Sequence, residues 1–344
     1  MRTVVAILVI VLSTADACAQ PSAKDRLTAS VDRALVHLAS KQAPDGSWDA
    51  HGQKHPAITS LAVMAFLSAG HVPGEGPYRA NVEKGIRWVA SQIEKDGAIA
   101  NVSSGEMYHV GICTLMLCEA AAMCDAKLAA EIKPKLEASV KRILQAQRQA
   151  KDIHRGGWRY AVEGADADLS ITGWQLLALR AARNIGCDVP ADRIDMAIHY
   201  VMQCRDPRSG GFCYMAGSGS VETKACTGTG ILALELCGKD RHLSREALQA
   251  GSYLLKNPLI NNEPHHYYTT YYTSQAMFQL GNNYWLAFRP NLHKVLLDSQ
   301  QKDGNWLDLD GLGLAYPTAM AVLALTVEYR LLPIYQREEE GEKK

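Results

Sequence analysis

An excess of charge of either sign is missing from this 344-residue chain: Lys+Arg and Asp+Glu stand at 36 each. That balance supplies no basic field for nucleic acid and no acidic one for cationic partners. Phenylalanine is scarce, 4 residues against 14 tyrosines, so most rings carry a polar end that suits water or a cavity wall. Long apolar runs are scarce too. Val4 to Leu12 is too short to span a bilayer, and no later segment is a better candidate. No Cys-x-x-Cys pair occurs, which removes a common spacing of zinc sites.

The early apolar run instead reads as part of a secretory signal over residues 1–19. Arg2 supplies its positive start, and Ala17-Cys18-Ala19 a small-residue cleavage site. An uncleaved anchor is the alternative, and Ala15-Asp16-Ala17-Cys18 weakly resembles a lipoprotein box that would anchor the chain at Cys18. The expected location is exported, periplasmic or extracellular, with no membrane span after signal removal. Cleavage leaves eight cysteines, an even number that permits disulfides outside the cell. Cys124 with Cys187, and Cys204 with Cys213, are the candidate pairs. At the other end, residues 337–344 read as a charged tail.

Residues 22–336 between them are repetitive. Each copy joins an amphipathic stretch to a nearly all-apolar one, and a glycine often follows the apolar run, as at a helix C-terminus. Val82, Ile86, Val89 and Ile93 show the amphipathic face in one copy. Aligning the apolar stretches puts Thr59, Val110, Thr172, Thr227, Thr273 and Thr318 in one register, with spacings of 51, 62, 55, 46 and 45 residues. Two helices per copy at that period mean a stacked helical array. With the apolar helix inside, six hairpins close into a single all-α domain, an (α/α)6 toroid of inner and outer helix rings. An open superhelix is the alternative.

Gln42-x3-Gly46-x-Trp48 and Gln300-x3-Gly304-x-Trp306 match the Gln-x3-Gly-x-Trp repeat of squalene and other triterpene cyclases, with Gln92, Trp158 and Gln203 in degenerate copies. The chain thus resembles exported proteins with prenyltransferase/squalene-oxidase repeats. The resemblance implies the toroid shared by terpenoid cyclases and protein prenyltransferases, and a structural role for these Gln and Trp side chains. The cyclases protonate an alkene from the third residue of Asp-x-Asp-Asp. Here the string is Asp166-Ala167-Asp168-Leu169, so Asp168 would be the acid and Leu169 replaces the fourth carboxylate. Prenyltransferases hold zinc with Asp-x-Cys. The counterpart here, Lys224-Ala225-Cys226, carries lysine where a ligand should be, so neither a metal nor a cofactor is expected.

Parallel inner helices bring their N-terminal ends to one mouth. The residues just before the recurring threonine should meet there: Asp168, Asp166, Glu106 and His55 as the acid–base candidates. Tyr108, His109, Trp174, His265, His266, Tyr267, Tyr268, Tyr271, Tyr272 and Tyr316 are the candidate ligand-binding set. Structural roles compete with these: Asp168 as a helix cap, His109 as a core histidine, the tyrosines as packing. Three functions remain open. One is a cyclase/prenyltransferase-like protein that binds, and in an active form transforms, an isoprenoid or other apolar ligand in its central cavity. Another is a non-catalytic scaffold for a protein partner. The last is a carbohydrate-active hydrolase or lyase using a carboxylate pair.

Overall fold

The structure, a computed structural model, describes residues 23–102 and 104–336. The expected signal, Cys18 and the charged tail lie outside them. Twelve α-helices alternate along the described chain. The odd-numbered ones are α1 (Ala23–Lys41), α3 (Arg79–Ser91), α5 (Ala126–Ala146), α7 (Ala191–Gln203), α9 (Arg245–Lys256) and α11 (Asn282–Ser299). The even-numbered ones are α2 (Pro56–Ser68), α4 (Glu106–Met123), α6 (Leu169–Asn184), α8 (Lys224–Cys237), α10 (His266–Gln279) and α12 (Ala315–Leu325). Sheet is confined to two two-stranded hairpins, β1 (Asp49–Ala50) with β2 (Gln53–Lys54) and β3 (Phe212–Cys213) with β4 (Glu222–Thr223).

Hydrophobic patterning decides which ring a helix joins. Every residue of α2 is buried, whereas α3 buries only the stripe Val82, Gly85, Ile86, Val89 and Ala90. The even helices pack side by side, α2 on α4, α4 on α6, α6 on α8, α8 on α10 and α10 on α12, and α12 returns to α2. The odd helices surround them, with α11 against α1. The chain has the α/α toroid expected from its repeats.

The repeated Gln, Gly, Trp and Thr form a clasp between successive hairpins. The Gln42 amide donates to the carbonyls of Gly46 and Asn81, both at 2.9 Å. Gln147 does the same to Gly156 and Arg193 (3.0 and 2.9 Å), and Gln300 to Gly304 and Ser30 (2.9 and 2.8 Å). The indoles of Trp48, Trp158 and Trp306 donate at 2.8 Å to Leu38, Ile143 and Leu296 on the preceding outer helix. Thr59 and Thr172 in turn accept the backbone N–H of Trp48 and Trp158, and Thr227 that of Phe212. At these three positions the recurring threonine is buried clasp hardware, satisfying an amide that would otherwise be orphaned; Thr273 and Thr318 instead donate to the Thr269 and Leu314 carbonyls, one turn back. The sixth clasp grips α1, so one repeated device both stacks the hairpins and shuts the ring.

All eight described cysteines are free thiols, which overturns the two expected cross-links. Cys204 is buried beside Tyr200, while Cys213 keeps accessible surface on β3. Burial pushes the Cys204 thiol up to about 12.

After α12 the chain makes a 3-10 turn, Val327–Tyr329, passes Arg330 in the left-handed region, and ends its described part with a second turn, Pro333–Tyr335. This last turn packs across α4 and α6. Its Ile334 N–H donates to Glu119 at 3.2 Å, its Tyr335 carbonyl accepts from Gln279 at 3.1 Å, and the Tyr335 and Tyr271 hydroxyls share a hydrogen bond. It plugs the end of the ring opposite the N-terminal mouth.

Candidate functional site

The N-termini of the inner helices do converge. The Tyr108 hydroxyl on α4 meets the Ser170 hydroxyl on α6 at 2.7 Å, and the Tyr268 hydroxyl on α10 reaches the Ser170 carbonyl at 3.4 Å. The His55 and His109 rings, from adjacent hairpins, stack 4.6 Å apart.

Asp168 sits at the N-cap of α6 with no exposed surface. One carboxylate oxygen accepts from the Ile171 N–H (2.9 Å) and the Ser170 hydroxyl (2.6 Å); the other takes Arg159 at 2.7 Å. Both oxygens are thus held by donors. Arg159 also pairs with Asp166 at 3.1 Å and with the Tyr214 hydroxyl at 2.7 Å, and lies over the Tyr160 ring at 4.7 Å. Glu106, in the first turn of α4, is paired with Arg142 at 2.6 Å. Of the four acid–base candidates, three are carboxylates clamped by arginines of their own or a neighbouring element.

His55 is the fourth. Its Nδ1 accepts the Ile58 N–H at 3.3 Å and caps α2. Burial lowers its proton affinity; burial and the adjacent His55 lower that of His109 to about 3. Two neutral stacked imidazoles result, with His109 Nδ1 buried and unpartnered.

Half of the predicted tyrosine set, with Trp174, runs inward as an aromatic axis. Tyr268 touches Tyr272 (4.7 Å between centroids), Tyr272 meets Trp174 edge-on (5.3 Å), and Trp174 stacks on Tyr271 (5.4 Å, 9° between planes). Tyr271 then bonds Tyr335 of the plug. Trp174 and Tyr271 are 1% exposed and Tyr272 0%, so these rings line no water-sized void. Near the plug, the crevice between Ser68, Gln275 and Leu332 holds about 10 Å³, room for one water at most. Tyr108, His109, Tyr268 and Tyr316 are the members of the ligand-binding set that are partly accessible, as is the neighbouring acid–base candidate His55.

The remaining members lie on the side formed by the fifth and sixth hairpins. His265 is largely exposed in a left-handed conformation, 3.8 Å from Asp310. His266 and Tyr267 are buried, their rings edge to face at 4.9 Å. Lys224 pairs with Glu263 at 2.5 Å. Arg159, Ser170, Tyr160, Tyr214, Glu263 and Asp310 belong to the mouth although the repeat register does not mark them. Arg159 adjoins the clasp residue Trp158, and Asp310 lies in the string Asp308-Leu309-Asp310-Gly311. Those local cues are the only ones in the sequence.

No protein-family profile matches the chain, and no curated protein sequence does. Solved structures do match. An inactive variant of the alpha-1,6-mannanase of Salegentibacter sp. HEL1_6, in complex with alpha-1,6-mannotriose, superposes with a TM-score of 0.68 at 12% identity, covering 89% of this chain and 99% of the mannanase. The alpha-mannanase of Bacteroides thetaiotaomicron gives 0.62 at 13% identity, covering 89% and 97%. A type II terpene cyclase from Scytonema gives 0.59 at 14%, covering 91% and 100%. Both groups are α/α toroids, so the likeness shows the fold and not the chemistry. No described helix is long and apolar enough to cross a membrane.

Proposed function

We propose that this toroid is a binding module whose site is the N-terminal mouth and whose ligand is hydroxyl-rich, of carbohydrate type. The filled ring axis carries this reading. Trp174, Tyr271 and Tyr272 occupy the space that an isoprenoid would need. A ligand instead meets the groups that keep surface at the mouth: Tyr108, Tyr268, Tyr316, the His55–His109 pair and the Arg159–Tyr160 edge. Tyrosines and imidazoles offer ring faces and hydrogen bonds together, which suits sugar rings. The mannanase complex with mannotriose supports the choice of ligand class, since it places a sugar on a toroid of this shape. In this reading Asp168, Asp166 and Glu106 shape the wall through Arg159 and Arg142 and transfer no proton. Export from the cell, expected from residues 1–19, is part of the same proposal.

Calorimetric titration of the purified chain with manno-oligosaccharides, against geranylgeranyl diphosphate, tests it. The oligosaccharide should bind, and Tyr268→Phe should weaken binding about five-fold, the value of one hydroxyl hydrogen bond. Stoichiometric uptake of the isoprenoid with no response to any glycan would overturn the reading.

A further inference from the structure

Tyr160, in the loop before α6, is the only aromatic side chain among the described residues that is exposed, at 38%. It is nevertheless held from several sides. Its carbonyl accepts the Met107 N–H at 3.0 Å, which fastens the loop to the first turn of α4. Its hydroxyl shares a hydrogen bond with the Tyr214 hydroxyl at 2.8 Å. The Arg159 guanidinium lies over its ring at 4.7 Å, and the Tyr108 ring stands 5.7 Å away. Tyr214 is fixed in the same manner. Its carbonyl takes the Leu169 N–H at 2.8 Å, and its hydroxyl accepts from Arg159 at 2.7 Å.

An exposed side chain ordinarily gives up rotamer freedom when a ligand lands on it. Here the ring is ordered beforehand, so a contact on its open surface meets less of that cost. The tyrosine pair also keeps a donor. Two hydroxyl hydrogens stand against one mutual bond, and the bond from Arg159 uses neither, so one O–H remains for a ligand oxygen. Tyr108 joins this platform to the mouth. Its hydroxyl meets that of Ser170 at 2.7 Å, and the Ser170 carbonyl takes Tyr268 at 3.4 Å. The accessible parts of Tyr268, Tyr108 and Tyr160 therefore form one strip leading outward from the mouth. A sugar ring combines an apolar C–H face with acceptor oxygens at its edge, as such a strip requires. We infer that Tyr160, braced by Tyr214, Arg159 and Tyr108, is a stacking platform for a sugar unit beyond the one in the mouth, so that the ligand is a chain and not a single sugar. The inference rests on the reading of the mouth as a carbohydrate-binding face.

Mannose and mannotriose differ only in length, so together they separate the platform from the mouth. Titrated into the full chain, mannotriose should bind about ten-fold tighter than mannose, the value of one good ring contact. Tyr160→Ala should remove that gain and leave mannose affinity within about two-fold of the natural chain. Tyr160→Phe keeps the ring and should keep most of the gain. In the unaltered chain, the Tyr160 ring-proton resonances, identified by their loss in Tyr160→Phe, should move with mannotriose and hold still with mannose. Equal affinity for the two sugars, or a gain that survives Tyr160→Ala, would overturn the platform while leaving the mouth as a sugar site. A parallel loss of both affinities with a fallen Tm would make Tyr160 a structural brace and would also overturn it. Mannotriose binding that needs Tyr160 but ignores Tyr268→Phe would sustain the platform and sink the reading of the mouth. Binding of neither sugar would remove both.

Discussion

At the scale of single residues, Asp168, the candidate acid of the Asp166-Ala167-Asp168 string, also has structural duties. It lies four residues before Thr172, where a capping residue belongs, and it does cap α6. It also neutralises Arg159, which in turn holds Asp166 and Tyr214. Two substitutions separate those duties. Asn is as good a cap as Asp, so Asp168→Asn keeps the Ile171 bond and loses the ion pair. Asp168→Ala loses both. Because Arg159 is 25% exposed and keeps Asp166, water screens part of the loss. Asp168→Asn should cost about 2 kcal/mol and Asp168→Ala about 1 kcal/mol more, measured by urea unfolding. Equal losses would mean that the cap contributes nothing.

At the scale of elements, the clasp glycines carry the geometry. Gly304 has φ +85°, and a Cβ there would sit 2.3 Å from the Arg33 carbonyl oxygen on α1. Gly74 has a similar φ of +91° with nothing nearby. Gly74→Ala should therefore cost only backbone strain, about 1 kcal/mol. Gly304→Ala should cost more than about 3 kcal/mol and raise amide exchange in α1 and α11, because it pries open the ring closure. Matching effects at the two sites would refute the close-approach account. The ring itself was legible because its devices recur. The threonine register and the Gln-Gly-Trp strings mark equivalent positions in copy after copy, and periodic burial separates inner from outer helices. The third clasp was harder to see, since Gln147 and Gly156 stand further apart in sequence than Gln42 and Gly46 while making the same bond. The polar fabric of the mouth was not legible. Arg159 draws Tyr214 from another hairpin, and Glu263 draws Lys224; such pairs have no period and leave no trace in sequence spacing. The convergence of the inner N-termini could be foreseen, but the inward course of Trp174, Tyr271 and Tyr272 could not, because facing the mouth and facing the axis differ by a turn of one helix.

At the scale of the whole molecule, the ring is closed from both ends, by aromatic packing behind the mouth and by the Pro333–Tyr335 turn at the opposite face. The plug has no repeat counterpart, so nothing in the register announces it. Its polar anchor is Glu119, a carboxyl on α4 that is 1% exposed and accepts the Ile334 N–H. Burial pushes it up to about 8 from an ordinary 4.5. The groups acting with it electrostatically are Cys118 and the Tyr271 and Tyr335 phenols, none of them cationic. A carboxyl whose folded value is raised binds its proton more tightly folded than unfolded. Its contribution is therefore fully present below about pH 4.5 and is lost as pH rises through about 8. The loss is bounded at roughly 5 kcal/mol by the size of the shift, and is smaller if the plug swings out and lets water reach the carboxylate. Two measurements follow from one pH series between 5 and 9. Tm should fall across the series in the natural chain and stay flatter in Glu119→Gln, which keeps an acceptor for Ile334 without a charge. Hydrogen exchange at Ile334 should accelerate with pH beyond the intrinsic chemical increase, while amides in the middle of α10 should not. Parallel Tm profiles for the two proteins would show that Glu119 is not the latch. A flat difference in exchange alongside a Tm fall would place the cost of ionisation in the whole ring, with the plug seated throughout.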